Sequence, residues 1–335
     1  MTENTSPRRK SKSSARALNF NARFWISIVL ILVVVVLAFV AGAFYPYAAE
    51  DRVGSLFDDP SAEHILGTDN FGHDALALLI ASTRNSLING ILAGSIATVL
   101  GVFVGILAGY VGGWFEEFLM GVTNIVLAIP AIIILILIMI SVQSSNVPFL
   151  KGIVGVALVI GFTSWPWTAR AVRAQASSVA TREHIDIAKL SGARTGSILV
   201  QDVLPYLASY VVMAWVLQMA SAILAESTLA MLGLGASGTY SLGSALRWAL
   251  WYQAIGSGAW WAFLPPTIVL TLISFALLYL QASLDEVFNP RLRRGKKKDL
   301  AKAAARRAEA ARKLAELSVE PQRGGTAGEV QGAMA

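Results

Sequence analysis

The residue types that perform covalent or metal chemistry are sparse in this chain and do not gather. His64, His73 and His184 are its three histidines and fall in different segments, so no metal-ligand spacing is present. The chain has no Cys, which excludes disulfides, iron–sulfur ligation and thiol chemistry. No Gly-x-x-x-x-Gly-Lys-Ser/Thr run occurs, although Gly295 precedes three lysines, so no phosphate cradle of that type is expected. What stands out is a polar stretch, REHIDIAKLSGARTGSILVQDVLP, from Arg182 to Pro205 among long apolar runs. Glu183, Asp186 and Lys189 fall at i, i+3 and i+6 and make one polar edge of a short helix, while Ile185, Ile187, Ala188 and Leu190 supply apolar surface. Gly192 stops that helix. A turn-rich stretch from Arg194 to Val203 then leads to Pro205, which suits the first turn of a new helix. Two readings are open: a knob that fits a groove on another protein, or an interfacial helix lying on lipid headgroups.

The elements that hold this stretch are dictated by composition. With 55% hydrophobic and 14% charged residues among 335, the chain falls far below the roughly 25% charge of soluble domains and reads as an all-α polytopic membrane protein. An apolar run of about 20 residues crosses a bilayer as a helix, because hydrocarbon leaves no partner for an unpaired backbone group. Six such spans are expected, near Phe24 to Phe44, Leu87 to Val111, Phe118 to Ile140, Ile153 to Ala174, Tyr206 to Leu229, and Trp261 to Gln281. Trp165, Pro166 and Trp167 predict a kink in the fourth, since Pro removes a helix hydrogen bond. Of the 27 Lys and Arg, 23 lie in the N-terminal arm, the loop after span four and the tail, which places both termini in the cytoplasm. The implied layout is a basic arm over 1–23, a first span over 24–44 and an extracellular acidic loop over 45–86. A five-span core over 87–284 follows, with the polar loop at 175–205, and a basic Ala-rich tail over 285–335.

Several features carry more than one meaning. The net charge of +6 comes from the inner-face arms and reads as topology and anionic-lipid attraction, not nucleic-acid binding. Arg8, Arg9 and Ala41-Gly42-Ala43 imitate an export signal, but the apolar run between them is long for one. Gly90, Gly94, Ala97, Gly101, Gly105 and Gly109 form a small-residue stripe that lets another helix approach, either within this chain or from a partner subunit. Glu226, near the outer end of span five, lines a pathway or makes a buried structural hydrogen bond. The acids of the 45–86 loop steer a ligand or satisfy the loop's own turns, and Gly67 and Gly72 mark a folded corner. Trp248, Trp251, Tyr252, Trp260 and Trp261 anchor the outer membrane face or stack on a ligand. After Arg291 the chain becomes a charged tail, disordered from about Val319.

Two segments resemble a known family. Asp186-Ile187-Ala188, Gly192 and Leu204-Pro205 resemble the EAA loop of ATP-binding-cassette importer permeases, with Asp186 in place of Glu and Ile187 in place of the first Ala. His64 to Leu87, HILGTDNFGHDALALLIASTRNSL, is similar to the signature before span two in dipeptide, oligopeptide and nickel importer permeases, the second membrane subunit of the pair. Gly67, Thr68, Asp69, Gly72, Asp74 and Arg84 stand in that family's places, and His73 stands where Arg is usual. Gly109 to Trp114, Leu127 to Pro130, Glu226, Leu232 to Gly235, Asp285 and Asn289 to Arg291 continue the resemblance. Residues 236–243, ASGTYSLG, depart from the family's Pro-rich turn.

The resemblance implies a type I importer permease fold in a prokaryotic plasma membrane and a non-catalytic subunit moving peptides. It implies a second homologous permease subunit, two ATP-binding subunits that hold ATP and Mg, and an extracellular or lipid-anchored substrate-binding protein. Glu183, Asp186, Ile187, Ala188, Gly192, Leu204 and Pro205 would couple to the ATPases, and Glu226, Leu232 and Gly233 would serve a gate or pathway. Nickel or oligosaccharide import by the same machinery, a passive channel or scaffold, and a membrane enzyme are the alternatives.

Overall fold

A computed structural model describes residues 22–288 and 304–312. Its main helices, besides a single turn at Pro148–Lys151, are α1 (Ala22–Phe44), α2 (Ala75–Val111), α3 (Gly113–Ala128), α4 (Ala131–Ser144), α5 (Ile153–Ala180) and α6 (Glu183–Leu190). They continue with α7 (Thr195–Met231), α8 (Leu242–Trp251) and α9 (Trp260–Phe288). Extended pairing among the described residues is limited to isolated bridges, Arg52 with His73 and Thr68 with Asp74. Four of these helices are long and apolar enough to cross a membrane, or five if α3 and α4 count as one broken span. The expected six would also need α5, whose middle carries Trp165-Pro166-Trp167-Thr168 and then Arg170 and Arg173.

Three boundaries differ from expectation, each for a local reason. The loop expected over 45–86 ends at Asp74, whose Oδ1 accepts from the Ala77 amide (2.8 Å) and so caps α2 twelve residues before Leu87. At 37 residues α2 is about 55 Å long, more than a roughly 30 Å hydrocarbon core requires. The expected single span from Phe118 to Ile140 is instead two helices bent by 83°. Ile129 turns extended (φ −95°, ψ 130°) ahead of Pro130, as the ring of a following proline demands. The expected turn-rich stretch from Arg194 to Val203 is helical, beginning at Thr195 and widening to π turns over Ile198–Val203 just before Pro205. Pro205 stands in the first turn of the α-helical part of α7, Leu204–Met231, as expected, and directly follows the π turns. Pro166, where a kink was expected, lies inside α5, whose helical assignment continues through it.

The core forms around α2 and α5. Extra Cβ atoms at Gly101 and Gly105 would stand 2.5 Å from Thr168 Cβ and 2.6 Å from the Ala169 carbonyl, and at Gly109 2.5 Å from the Arg173 carbonyl. At Gly94 a Cβ would lie 2.8 Å from the Met219 amide, and at Gly90 it would collide with Ile223. The small-residue stripe is thus consumed inside the chain, its first half by α7 and its second half by α5. A packed layer of Ala93, Met139, Val156, Ala157, Ile160 and Leu229 continues this core. By contrast α1 exposes Trp25, Ile26, Val29 and Leu32, as a lipid-facing helix would.

The chain divides into two units at Asp285. The second unit contributes the last residues of α9 and an exposed helical stretch at 304–312. The basic N-terminal arm before Ala22, Asn289-Pro290-Arg291, the charge run to Lys298 and the tail from Val319 lie outside the described residues.

Candidate functional site

Helix α6 is built as a plug with a fixed end. Ile185 is fully buried in an apolar cluster with Ile106, Val172, Val179, Ile198 and Leu207, and Ala188 packs partly against it. The helix ends in a Schellman motif: the Ala193 amide donates to the Ala188 carbonyl (3.1 Å) and the Gly192 amide to that of Lys189 (3.0 Å). Gly192 supplies the required left-handed backbone at φ +79°. Ring contacts brace the sides, with His184 4.8 Å from Tyr206, Arg182 5.2 Å over Tyr206 and Lys189 5.4 Å over Tyr110. The opposite face is left open. Ile187 is 63% and Leu190 88% exposed, flanked by exposed Glu183 and by Asp186, which lies 3.6 Å from Lys189. The open face thus carries two exposed aliphatic side chains among charged neighbours. Leu204 is half-buried against the same cluster and Pro205 is exposed beside it.

The second constellation, Gly67 to Arg84, is a hydrogen-bonded corner. Thr68 is buried; its Oγ1 donates to the Ser55 carbonyl (2.7 Å) and accepts from the Asp58 amide (2.8 Å). Its carbonyl accepts from Trp261 Nε1 (3.0 Å). Asp69 Oδ1 accepts from the amides of Phe71 and His73, each at 2.8 Å. Buried Asp74 accepts from Tyr45 Oη (3.0 Å) and lies 2.9 Å from His64 Nδ1, besides capping α2. The Tyr45 hydroxyl is pushed above its ordinary pKa by burial first, then by the hydrogen bond to Asp74 and its charge. Gly67 and Gly72 take positive φ, +65° and +82°, with backbone carbonyls packed where a Cβ would go. Arg84 is exposed and opens on a cleft shared with Glu50 and Asp51. The geometry favours loop satisfaction for Asp69 and Asp74: their oxygens are engaged locally.

Glu226 is buried (2% exposed) and accepts from Ser86 Oγ (3.3 Å), while the same hydroxyl accepts from the Leu242 amide (3.1 Å). The carboxylate therefore ties α7 to α2 and, through Ser86, to the start of α8. Gly233 (φ +83°) ends α7 in a second Schellman motif, with amides of Leu234 and Gly233 donating to Leu229 (2.8 Å) and Ala230 (3.0 Å). Leu232 beside it is 58% exposed.

Three pairings went unread in the sequence. Arg173 on α5 pairs with Glu116 on α3. Gln218 Nε2 on α7 donates to Thr168 Oγ1 (2.7 Å) on α5. Arg247 stacks on Trp248 and Trp251. Polar residues in apolar runs were the available signal for the first two, but their partners are 57 and 50 positions away.

Known proteins give this arrangement a context. The family described as "Binding-protein-dependent transport system inner membrane component" matches residues 101–294. A Brucella abortus protein named as a peptide transport system permease is 32% identical over 84% of this chain and 92% of its own length. The oligopeptide transport system permease protein OppC of Mycobacterium tuberculosis is 31% identical over 74% of this chain and 83% of that protein. The dipeptide transport system permease protein DppC of Bacillus subtilis is 29% identical over 70% and 71%. Among solved structures, an inward-facing MetNI methionine ABC transporter chain aligns with a TM-score of 0.48 and 20% identity, covering 63% of this chain and 96% of that one. With the family match spanning more than half of the chain and a relative above 30% identity covering most of it, the chain belongs to the binding-protein-dependent transport system inner membrane components.

Proposed function

We propose that this chain is one of two membrane subunits of an ATP-driven importer for peptides, and that α6 is the lever by which separate ATPase subunits work it. The observation that carries this reading is the two-faced build of α6, with Ile185 locked into the body of the protein and Ile187 and Leu190 presented outward. A force applied to the outer face passes directly to α5 and α7, which supply the walls of the Ile185 pocket. Coupling requires that the docked helix have different contact energy in the two states of the ATPases, because a partner shifts an equilibrium only by its differential affinity. Peptide as the cargo is supported by the named relatives, OppC and DppC among them.

In this reading Glu183, Asp186, Ile187, Ala188, Gly192, Leu204 and Pro205 form the docking unit. Six spans, with α5 as the sixth and both termini cytoplasmic, put α6 on the ATPase side. A second permease subunit completes the pathway, and a binding protein outside the cell or anchored in lipid delivers the peptide. Gly67, Thr68, Asp69, Gly72, Asp74 and Arg84 shape the outer corner, with Glu226, Leu232 and Gly233 at the gate end of α7. The ATPase partners bind ATP and Mg and carry the hydrolysis.

The test is Leu190→Asp in the complete transporter. Leu190 touches little of its own chain, so membrane insertion and thermal stability should hold, while co-purifying ATPase and peptide uptake fall by at least about tenfold, the loss expected when an apolar anchor worth roughly 1.5–3 kcal/mol is removed. Uptake at the wild-type rate in that variant would remove α6 from the coupling path.

A further inference from the structure

Between α8 and the turn that follows α7 lies an open cleft of about 650 Å³, walled by Gly233, Tyr240, Ser244, Arg247, Trp248 and Glu50. Its size falls in the range of small-molecule sites. Arg247 is the cation within it. The guanidinium lies 4.7 Å from the Trp248 ring centroid and 5.4 Å from that of Trp251. On its other side it abuts Gly233, where a Cβ would come 3.0 Å from Arg247 Cζ. Among the described residues no carboxylate pairs with Arg247, and no oxygen accepts from its nitrogens. Aromatic faces hold a guanidinium without using its in-plane donors, so the planar fork stays available to an anion.

The surrounding walls are held in place by hydrogen bonds. Gln143 Nε2 donates to the Gly235 carbonyl (2.8 Å), Ser237 Oγ to Gln143 Oε1 (3.1 Å), and the Ser237 amide to the Lys151 carbonyl (2.8 Å). Asn85 Nδ2 donates to the Tyr240 carbonyl (2.7 Å). A Ser241–Ser244 capping box starts α8, and Ser86 ties its first amide to Glu226. A carboxylate also lines the cleft. Exposed Glu50 lines this cleft and an adjoining one of about 450 Å³, the two sharing Gly238, Thr239 and Tyr240. The Tyr240 hydroxyl is held above its ordinary pKa by burial first, then by the charges of Asp69 and Glu50. The cleft thus offers both a cation, Arg247, and a carboxylate, Glu50, which is the pair of charges that a zwitterion requires.

We propose that this cleft is a substrate subsite in which Arg247 takes the free C-terminal carboxylate of a peptide, with Glu50 toward its amino end. The inference rests on the peptide reading above and specifies where on this chain the cargo is recognised. A planar guanidinium matches a carboxylate with two parallel charge-assisted hydrogen bonds, and no neutral group replaces them equally.

The experiment uses the complete transporter in liposomes, with its binding protein saturated by either a tripeptide or the same tripeptide amidated at its C-terminus. Saturation removes the binding protein's own preference, and maximal transport per complex is read. The wild-type complex should move the free acid faster. Arg247→Gln should lower its rate on the order of tenfold, the loss of a charge-assisted bond, leave the amide unchanged and so abolish the discrimination; Arg247→Lys should restore part of it. Equal loss for both peptides, together with a raised requirement for binding protein, would mean that Arg247 meets an acidic residue of that protein and would overturn the proposal. So would discrimination that survives in Arg247→Gln. If the wild type moves no peptide at all, the peptide reading fails by itself. The same acid-against-amide comparison with whichever carboxylate solute stimulates ATP hydrolysis then decides the subsite, an Arg247-dependent difference supporting it and its absence refuting it.

Discussion

Gly192 illustrates how one backbone angle sets the geometry of a docking element. Its φ of +79° lets the chain leave α6 while the Ala188 and Lys189 carbonyls are still satisfied, and a Cβ there would meet no other atom within 4 Å. Substitution therefore acts through backbone strain alone. Gly192→Ala should cost about 1–2 kcal/mol locally, fray the end of α6, and lower transport per ATP hydrolysed while insertion is unchanged. Gly196→Ala is the matched control, since Gly196 is equally open and has no positive φ; it should transport normally. Reduced coupling in both variants would assign the effect to bulk at the docking surface and not to the angle. Gly192 was legible as a helix stop in the sequence, whereas the burial of Ile185 and the full exposure of Leu190 were not. Both are aliphatic, and only the cluster around Ile185 distinguishes them.

Among the elements, the α2 stripe decides the packing. Glycines at steps of three and four predict a close helix contact wherever they occur, but not with which helix. The contact is divided: Gly90 and Gly94 receive α7, and Gly101, Gly105 and Gly109 receive α5. In Gly105→Ala the new methyl would meet the Ala169 carbonyl at 2.6 Å and Val172 Cβ at 2.7 Å. This overpacking should destabilise the protein by about 1–3 kcal/mol, read as a lower melting temperature in detergent. Gly121→Ala on α3 meets nothing within 4 Å and should be neutral or stabilising by up to about 1 kcal/mol. Equal melting of the two variants would contradict the packing account. The bend between α3 and α4 was half legible. Pro130 marks the break, but its 83° angle depends on Leu135, Met139 and Val142 of α4 seating in the α2–α5–α7 core.

For the molecule as a whole, topology is directly measurable because the chain has no Cys. Single cysteines at Ser191, just past α6, and at Asp59, in the loop before α2, both stand at exposed positions. A membrane-impermeant maleimide added to intact cells should label Asp59→Cys and reach Ser191→Cys only after the membrane is opened. The reverse pattern would place α6 away from any cytoplasmic ATPase and end the lever reading.

The sequence by itself determined that this chain is a helical membrane protein, where its apolar runs lie, and which polar stretch projects from them. Those properties follow from local physics: hydropathy over about 20 residues, proline's missing amide and glycine's freedom at positive φ. Tertiary structure alone decided that Asp74 is buried against Tyr45, that Glu226 meets Ser86 across 140 positions, and that Arg247 faces a cleft between two tryptophan rings and Gly233. Each of these depends on which distant groups burial brings together, and a buried polar atom finds its partner by proximity in space, which no local pattern of residues encodes.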